Sequence, residues 1–192
     1  MVESFQDPPW DAPLDVAACV AAIPPEAKVK GLFLLPMVLE LQRQGLVVPG
    51  ARERYLPFSD YPLAEHVNLL VESSRMLFPG LPLRQGLRKL GRGAVRAFTD
   101  TTIGKVVWAS AEHLQGALDS VAKGYDLTIR PSRVEIAERA ATHARVRLDD
   151  VHYFLDSHHV GIFEGVMRAC GVKGNVRIRL DSATSGDYLL TW

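Results

Sequence analysis

The sequence predicts an α+β fold in which N-terminal helices pack on an antiparallel sheet and the C-terminal half runs strand, strand, helix, strand, strand. Three observations predict it. From Tyr61 to Lys105, two successive segments carry apolar residues at helical spacing. From Val134 to Leu148, and again from Val176 to Trp192, apolar and polar residues alternate with the period of a sheet buried on one face. Between those stretches, the segment after Asp156 returns to the helical period.

The elements follow in order. A Pro-rich arm, residues 1–27, carries a short helix near Leu14 to Ala22 that Pro24 and Pro25 stop. A second helix runs near Pro36 to Gln44 and ends at Gly45. The third presents Leu63, Val67, Leu70, Val71, Ser74, Leu77 and Phe78 on one face, and the fourth presents Leu83, Leu87, Leu90, Ala94, Val95 and Phe98. A further segment near Ala111 to Ala122 closes the helical half. Val134 and Ile136, then Ala144, Val146 and Leu148, predict a hairpin. Val160, Phe163, Val166, Met167 and Cys170 predict a helix, with Asp156 or Ser157 capping its start and Gly171 ending it. Val176, Ile178 and Leu180, the turn SATSGD, and Tyr188, Leu190 and Trp192 predict a second hairpin. The chain shows no internal repeat, and 192 residues at 47% hydrophobic content fit one core, so residues 1–192 are expected to form a single domain.

Composition narrows the function classes. Lys plus Arg equals Asp plus Glu at 22 each, so no global charge draws the chain to nucleic acid or an anionic membrane. The longest apolar run, GLFLLPMVLEL, is broken by Pro36 and Glu40, and the N-terminal residues have acids where a signal peptide has bases, which points to a cytoplasmic protein with no membrane span. Cys19 and Cys170 form no CxxC pair, so neither a disulfide framework nor a thiol-rich metal site is expected.

The residues that could carry chemistry have structural readings beside them. Arg84, Arg88, Arg92 and Arg96 recur every four residues and make a cationic face. It is either a solvated helix surface or a site for a carboxylate, a phosphate or an acidic partner, which the guanidinium fork suits. At least one of Arg84, Arg88 and Arg92 is expected to pair inside the protein with an acid, such as Glu65 or Glu72 on the preceding helix. Asp156, Ser157, His158 and His159 contain the residue types of a triad, but adjacent side chains diverge, and helix capping is the simpler account. His66 and His113 read as structural histidines. Gly86, Gly91 and Gly93 fall inside a helical period, without the preceding strand that a phosphate loop needs. Because glycine in a helix costs about 1 kcal/mol against alanine, they, with Gly104, Gly161 and Gly165, suggest close helix–helix or dimer packing.

The motifs YPL, LFPG, LRKLGR, AFTDTTIGK and a final strand ending in YLLTW, taken in that order, resemble the myxobacterial paralogous family of proteins of about this length, whose function is unassigned. Through the hairpin, helix, hairpin pattern the chain is also distantly similar to the superfamily that joins heme–nitric-oxide-binding domains, 4-vinyl-reductase domains and the TRAPP trafficking subunits. That resemblance implies an α+β domain with an apolar cavity between helices and sheet, often dimeric, used for small-molecule sensing or protein assembly. The heme-binding branch carries a Tyr-x-Ser-x-Arg pattern for the propionates; here Tyr125 and Arg130 stand at a wider spacing, and the clustered cysteines of the metal-binding relatives are absent.

The expectation is therefore a non-catalytic ligand-binding or regulatory domain with no cofactor and no metal, taking a small apolar or anionic ligand. Its candidate site residues are Arg84, Arg88, Arg92, Phe98, Trp108, Phe154, Phe163 and Met167. The alternative is a protein–protein assembly module, a homodimer built on an exposed helix face. No residue set in the sequence identifies a catalytic acid, base or nucleophile.

Overall fold

A computed structural model of the chain describes residues 4–109 and 113–192. In chain order the elements are α1 (Val16–Ala21), β1 (Lys28–Lys30), α2 (Leu35–Arg43), β2 (Asp60–Pro62), α3 (Leu63–Leu77), α4 (Leu83–Thr99), α5 (Thr102–Trp108), α6 (Leu114–Thr128), β3 (Ile129–Arg130), β4 (Arg133–Arg139), β5 (His143–Asp149), α7 (His158–Ala169), β6 (Asn175–Leu180) and β7 (Gly186–Thr191). The fold is α+β, as the periodicities imply. Ala111, where one helix was expected to begin, lies outside the described residues. None of the described helices is long and apolar enough to cross a membrane.

The main sheet has the order β4-β5-β7-β6 with every pair antiparallel. Its two hairpins, β4–β5 and β6–β7, are the predicted ones, and they join through the central β5–β7 ladder, where Val146 faces Tyr188. Ala144, Val146, Leu148, Val176, Ile178, Tyr188 and Leu190 are buried on the inner face. There Phe163 of α7 meets the Tyr188 ring at 4.9 Å. On the outer face, Arg145, Arg147 and Arg179 surround the buried carboxylate of Asp187 at 3.8, 3.5 and 2.5 Å. Paired charge on that face keeps one side of the sheet polar without a second helical layer.

A smaller sheet, β2-β1-β3, was not expected. Its strands are two or three residues long, too short for an alternation to register. It ties the chain before α3 to the chain after α6. The short helix α5 was also missed, for the same reason of length.

The N-terminal arm is a strap. Gln6 exchanges backbone hydrogen bonds of 2.8 and 2.9 Å with Ile178 at the edge of β6. The strand edge is thereby partly covered. The arm then crosses to α4, where Arg84 donates to the carbonyls of Ala12 and Pro13, Gln85 donates to Asp11 at 2.7 Å, and the Arg88 guanidinium lies 3.8 Å over the Trp10 ring.

Two local expectations need correction. Ser157 stands at the N-cap of α7 but makes no capping bond, and its hydroxyl is buried without a partner among the described residues; Asp156 does not cap either, because its carboxylate pairs with Arg84. Trp192 is only half-buried, although Tyr188 and Leu190 on the same face are fully buried. The expected end of α7 is as the sequence implies. Gly171 takes φ +69°, and Val172 N–H bonds back to the Met167 carbonyl at 2.9 Å, closing a Schellman turn.

Candidate functional site

Two faces of α4 define the site. The first is closed. Gly91 lies so near the start of α7 that a Cβ placed there would stand 2.0 Å from the His158 carbonyl oxygen, and a Cβ on Gly161 would stand 2.0 Å from the carbonyl oxygen of Arg88. Gly165 meets Arg92 in the same way, at 2.7 Å. These glycines therefore let two helix backbones touch, which is the close packing the sequence suggests, made within one chain.

The arginine ladder fastens this contact. Arg84 pairs with Asp156, and Arg88 and Arg92 both hold Glu164, at 2.8 Å for Arg88 Nε and 2.6 Å for Arg92. The two guanidiniums hold the Glu164 carboxyl below the usual carboxylate range, although its half-burial pulls the other way. The expected partners on α3 are engaged elsewhere: Glu65 pairs with Arg52 and Glu72 with Arg75. The acids that hold the ladder stand more than seventy residues away, on and just before α7.

The second face of α4 is open. It borders a cavity of about 820 Å³ enclosed by α2, α3, α4, α5, α6 and the segment that leads into α7. Phe33, Leu70, Leu90, Ala94, Phe98, Trp108, Val121 and Ile162 form its apolar wall. Phe33 and Phe98 stack with centroids 5.7 Å apart and planes 8° from parallel. Gly93, which lines the mouth, would carry a Cβ with nothing within 4 Å. Lys89 and Arg96, both exposed, flank it on the rim, with the Glu40–Arg43 ion pair of α2 also at the edge.

The inner end is polar. His66 from α3, His158 from α7, and Tyr153 from the connecting segment line the cavity and are buried. His66 meets the Tyr153 ring edge-on at 5.6 Å, and His158 lies 5.9 Å from it. Burial pushes the His66 imidazole down to about 3 and His158 well below its ordinary range, so both are neutral. His159, just behind them, is pushed down to about 4 by the same cause. Nδ1 of His66 and of His158 has no hydrogen-bond partner among the described residues. A buried polar atom left unpaired costs about 1–3 kcal/mol.

Backbone strain holds Tyr153 there. Phe154 takes φ +43° and Asp150 φ +55°, a region that costs a non-glycine residue about 1–3 kcal/mol. The corner is held because the Phe154 carbonyl accepts from the Ser157 and His159 backbone N–H groups, at 3.2 and 3.3 Å.

Of the residues singled out from the sequence, Phe98 and Trp108 stand on the cavity wall. Phe154, Phe163 and Met167 are buried in the core, away from that wall. Arg84, Arg88 and Arg92 lie on the closed face with α7, and only Arg96 of the ladder reaches the cavity. Sequence reasoning passed over His66, Tyr125, Tyr153 and His158 as site residues. They come from four segments with no common spacing, so only the tertiary fold brings them together. No group of three or more His, Cys, Asp or Glu side chains among the described residues is arranged to hold a metal ion.

The description "Protein of unknown function (DUF2378)" belongs to a family that matches residues 22–192 of this chain. No curated protein matches the sequence. Among solved structures, the fold is similar to a K. algicida H-NOX protein in the Fe(II) unliganded state, at 14% identity and TM-score 0.62, covering 84% of this chain and 95% of that one. It is also similar to an S. oneidensis H-NOX protein in the Fe(II)NO state, at 13% identity and TM-score 0.57, covering 84% and 97%. A third similar structure, from work on modulating heme redox potential through protein-induced porphyrin distortion, gives 15% identity and TM-score 0.66, covering 85% and 99%.

Proposed function

The chain belongs to the DUF2378 family, and on that premise we propose that it is a non-catalytic ligand-binding domain whose ligand occupies the cavity beside α4. The observation that carries this reading is the cavity itself: about 820 Å³, walled mainly by apolar and aromatic side chains with polar groups among them. That volume and lining are those of a small-molecule site. The likeness to H-NOX proteins, one of them in an Fe(II)NO state, supports a ligand-binding or sensor role at the level of the fold. The non-catalytic reading draws support from the titratable groups, since burial raises the thiols of Cys19 and Cys170 and keeps His66, His158 and His159 neutral.

Heme is the cofactor that the fold similarity implies, and the residues fit it only in part. Imidazoles line the cavity, but the propionate partners do not converge. Tyr125 is buried with its hydroxyl bonded to Tyr153, and Arg130 is exposed and pairs with Asp60 at 2.7 Å, away from the cavity wall. Stoichiometric heme should therefore give no stable Soret band; a band lost on mutating His66 or His158 would overturn this.

The direct test is uptake of a fluorescent apolar probe, anilinonaphthalene sulfonate. One equivalent should bind per chain, with loss of binding in Gly124→Leu, where the new side chain projects toward Phe98, whose nearest atom is 3.9 Å from the added Cβ. Unchanged uptake by a folded Gly124→Leu variant would remove the cavity from the account. A second reading, assembly of two copies, has its own observation in the exposed side chains of Val47, Leu56 and Phe58, and sedimentation velocity of the full chain tests it.

A further inference from the structure

We propose that the outer edge of β6 is a docking site for an extended strand of a partner protein, one that carries acidic side chains opposite Arg177 and Arg179, and that residues 5–7 of the arm occupy this edge in its absence. The partner adds a strand to the main sheet, and the arm guards the place until it does.

The two edges of the sheet differ. β4 runs beside α6, where Arg139 pairs with Asp119 and Gln115 donates to the Ala140 carbonyl at 3.3 Å. Along the β6 edge, among the described residues, only the arm is bonded, and it covers the edge thinly. Ile178 N–H donates to the Gln6 carbonyl at 2.9 Å and the Ile178 carbonyl accepts from Gln6 N–H at 2.8 Å. By the strand period of two, the backbone groups of Val176 and Leu180 point the same way, and neither bonds to the arm. The next rung toward Val176 falls on Pro8, which has no N–H to donate. At the other end Leu180 stays 39% exposed. The rungs at Val176 and Leu180 are therefore open to a strand without those prolines. The arm's other attachments, Trp10 under Arg88, Asp11 at Gln85 and the carbonyls of Ala12 and Pro13 at Arg84, all lie on α4. Residues 5–7 can leave the edge while the rest of the arm stays in place.

The register names the partner's chemistry. With Gln6 opposite Ile178, Phe5 falls beside Arg179 and Asp7 beside Arg177, and the Arg179 guanidinium lies 5.2 Å from the Phe5 ring. Both arginines belong to the outer face of the sheet, one on each side of Ile178. Arg177 is exposed and pairs with no carboxylate among the described residues, and Arg179 shares the Asp187 carboxylate with Arg145 and Arg147. A strand with acids at the two positions flanking its central residue makes a favourable cross-strand pair with each arginine, whereas like charges there repel. A second copy fits poorly by the same rule, because two β6 edges paired about Ile178 set Arg177 of each against Arg179 of the other. The family match begins at residue 22, so the edge lies in the shared body and the guarding segment lies outside it.

The test is fluorescence anisotropy of a labelled peptide, Thr-Val-Asp-Val-Glu-Val-Thr, titrated with the full chain, beside a control peptide in which lysines replace both acids. In antiparallel register its central valine faces Ile178 and its acids face Arg179 and Arg177. The acidic peptide should bind at least about tenfold more tightly than the lysine peptide. Gln6→Pro, which removes the arm's N–H from the Ile178 carbonyl, should tighten that binding about fivefold, the value of one net hydrogen bond. Phe5→Ala, which takes the ring from Arg179, is the second release variant. Arg177→Glu should lose the preference for acids, with melting curves confirming the fold of each variant. Amide hydrogen exchange should show the peptide protecting the N–H groups of Val176 and Leu180. No binding of the acidic peptide to either release variant, equal affinity for the two peptides, or equal affinity of wild type and both release variants would overturn the proposal. So would binding that leaves Val176 and Leu180 exchanging as before, which puts the peptide elsewhere. Self-association of Gln6→Pro in sedimentation velocity, absent from the wild type, would give the edge to a second copy and overturn it too.

Discussion

Two glycines in one turn of α4 should respond in opposite directions to the same substitution. In Gly91→Ala the added Cβ stands 2.0 Å from the His158 carbonyl oxygen, 2.9 Å from its carbon and 3.1 Å from the Ile162 nitrogen, where ordinary contact begins at 3.4 Å. All three atoms are backbone, so no rotamer change relieves the overlap. The helices must part locally by about 1.4 Å, which also stretches the Arg88 and Arg92 bonds to Glu164. Overpacking costs about 1–3 kcal/mol and more where the backbone cannot move, and the gain in helix propensity returns about 1 kcal/mol. A net loss of about 2 kcal/mol follows. For a chain of this size that lowers the melting temperature by roughly 4–8 °C. Gly93→Ala meets nothing within 4 Å and keeps only the propensity gain, so it should raise the midpoint by about 2–4 °C. Circular-dichroism melts of the two variants decide the matter. A Gly91→Ala protein as stable as wild type would refute the contact between α4 and α7.

Other outcomes follow from the same structure. Stability should fall as pH drops from about 6.5, because the folded-state values of His66, His158 and His159 lie below the ordinary value of 6.5 and the unfolded chain binds protons first. By pH 5 the loss is on the order of 2 kcal/mol per imidazole, and denaturant midpoints that do not change between pH 7 and pH 5 would contradict the buried neutral cluster. Carboxylates such as Glu164, held low by their arginines, add a second loss below about pH 4.5, once the unfolded carboxyls protonate. Arg88→Gln/Arg92→Gln, which strips Glu164 of both partners, should cost about 1–3 kcal/mol in urea unfolding, against less than about 0.5 kcal/mol per residue for solvated arginines. Leu190→Ala removes a fully buried side chain and should cost about 2–5 kcal/mol, and the half-buried Trp192→Ala should cost less; the reverse order would show that the final residue anchors the sheet.

The sequence was most legible where a single period decides the outcome. Strict alternation over β4 to β7 and the stripes of α3, α4 and α7 are local patterns, and each appears in the structure. What escaped was set by distance along the chain. The acids that hold Arg84, Arg88 and Arg92 are more than seventy residues away, so nothing local distinguishes Glu164 from Glu65 as a partner. Phe163 and Met167, four apart, share one face of α7 and point into the core, whereas Ile162, one position before Phe163 and so about 100° round the helix, meets the cavity.

The same arrangement explains why the cavity sits where it does. Backbone contact at Gly91, Gly161 and Gly165 draws α4 onto α7, which carries the N-terminal half of α4 and its arginines to the acids of α7. With that side closed, the α4 residues on the cavity wall include Leu90 and Phe98 and, between them, the small side chains of Ala94 and Ala97. The alanines cannot reach α2 and α5 across the gap, and the aromatic rings of Phe33 and Trp108 border the space without filling it. A cavity in a close-packed interior loses dispersion contacts on every wall, and His66 and His158 add the cost of unpaired nitrogens. A ligand that fills the space restores the lost contacts. Occupancy should therefore raise the melting temperature of the wild type and leave that of Gly124→Leu unmoved, and an equal shift in both would place the ligand somewhere other than beside α4.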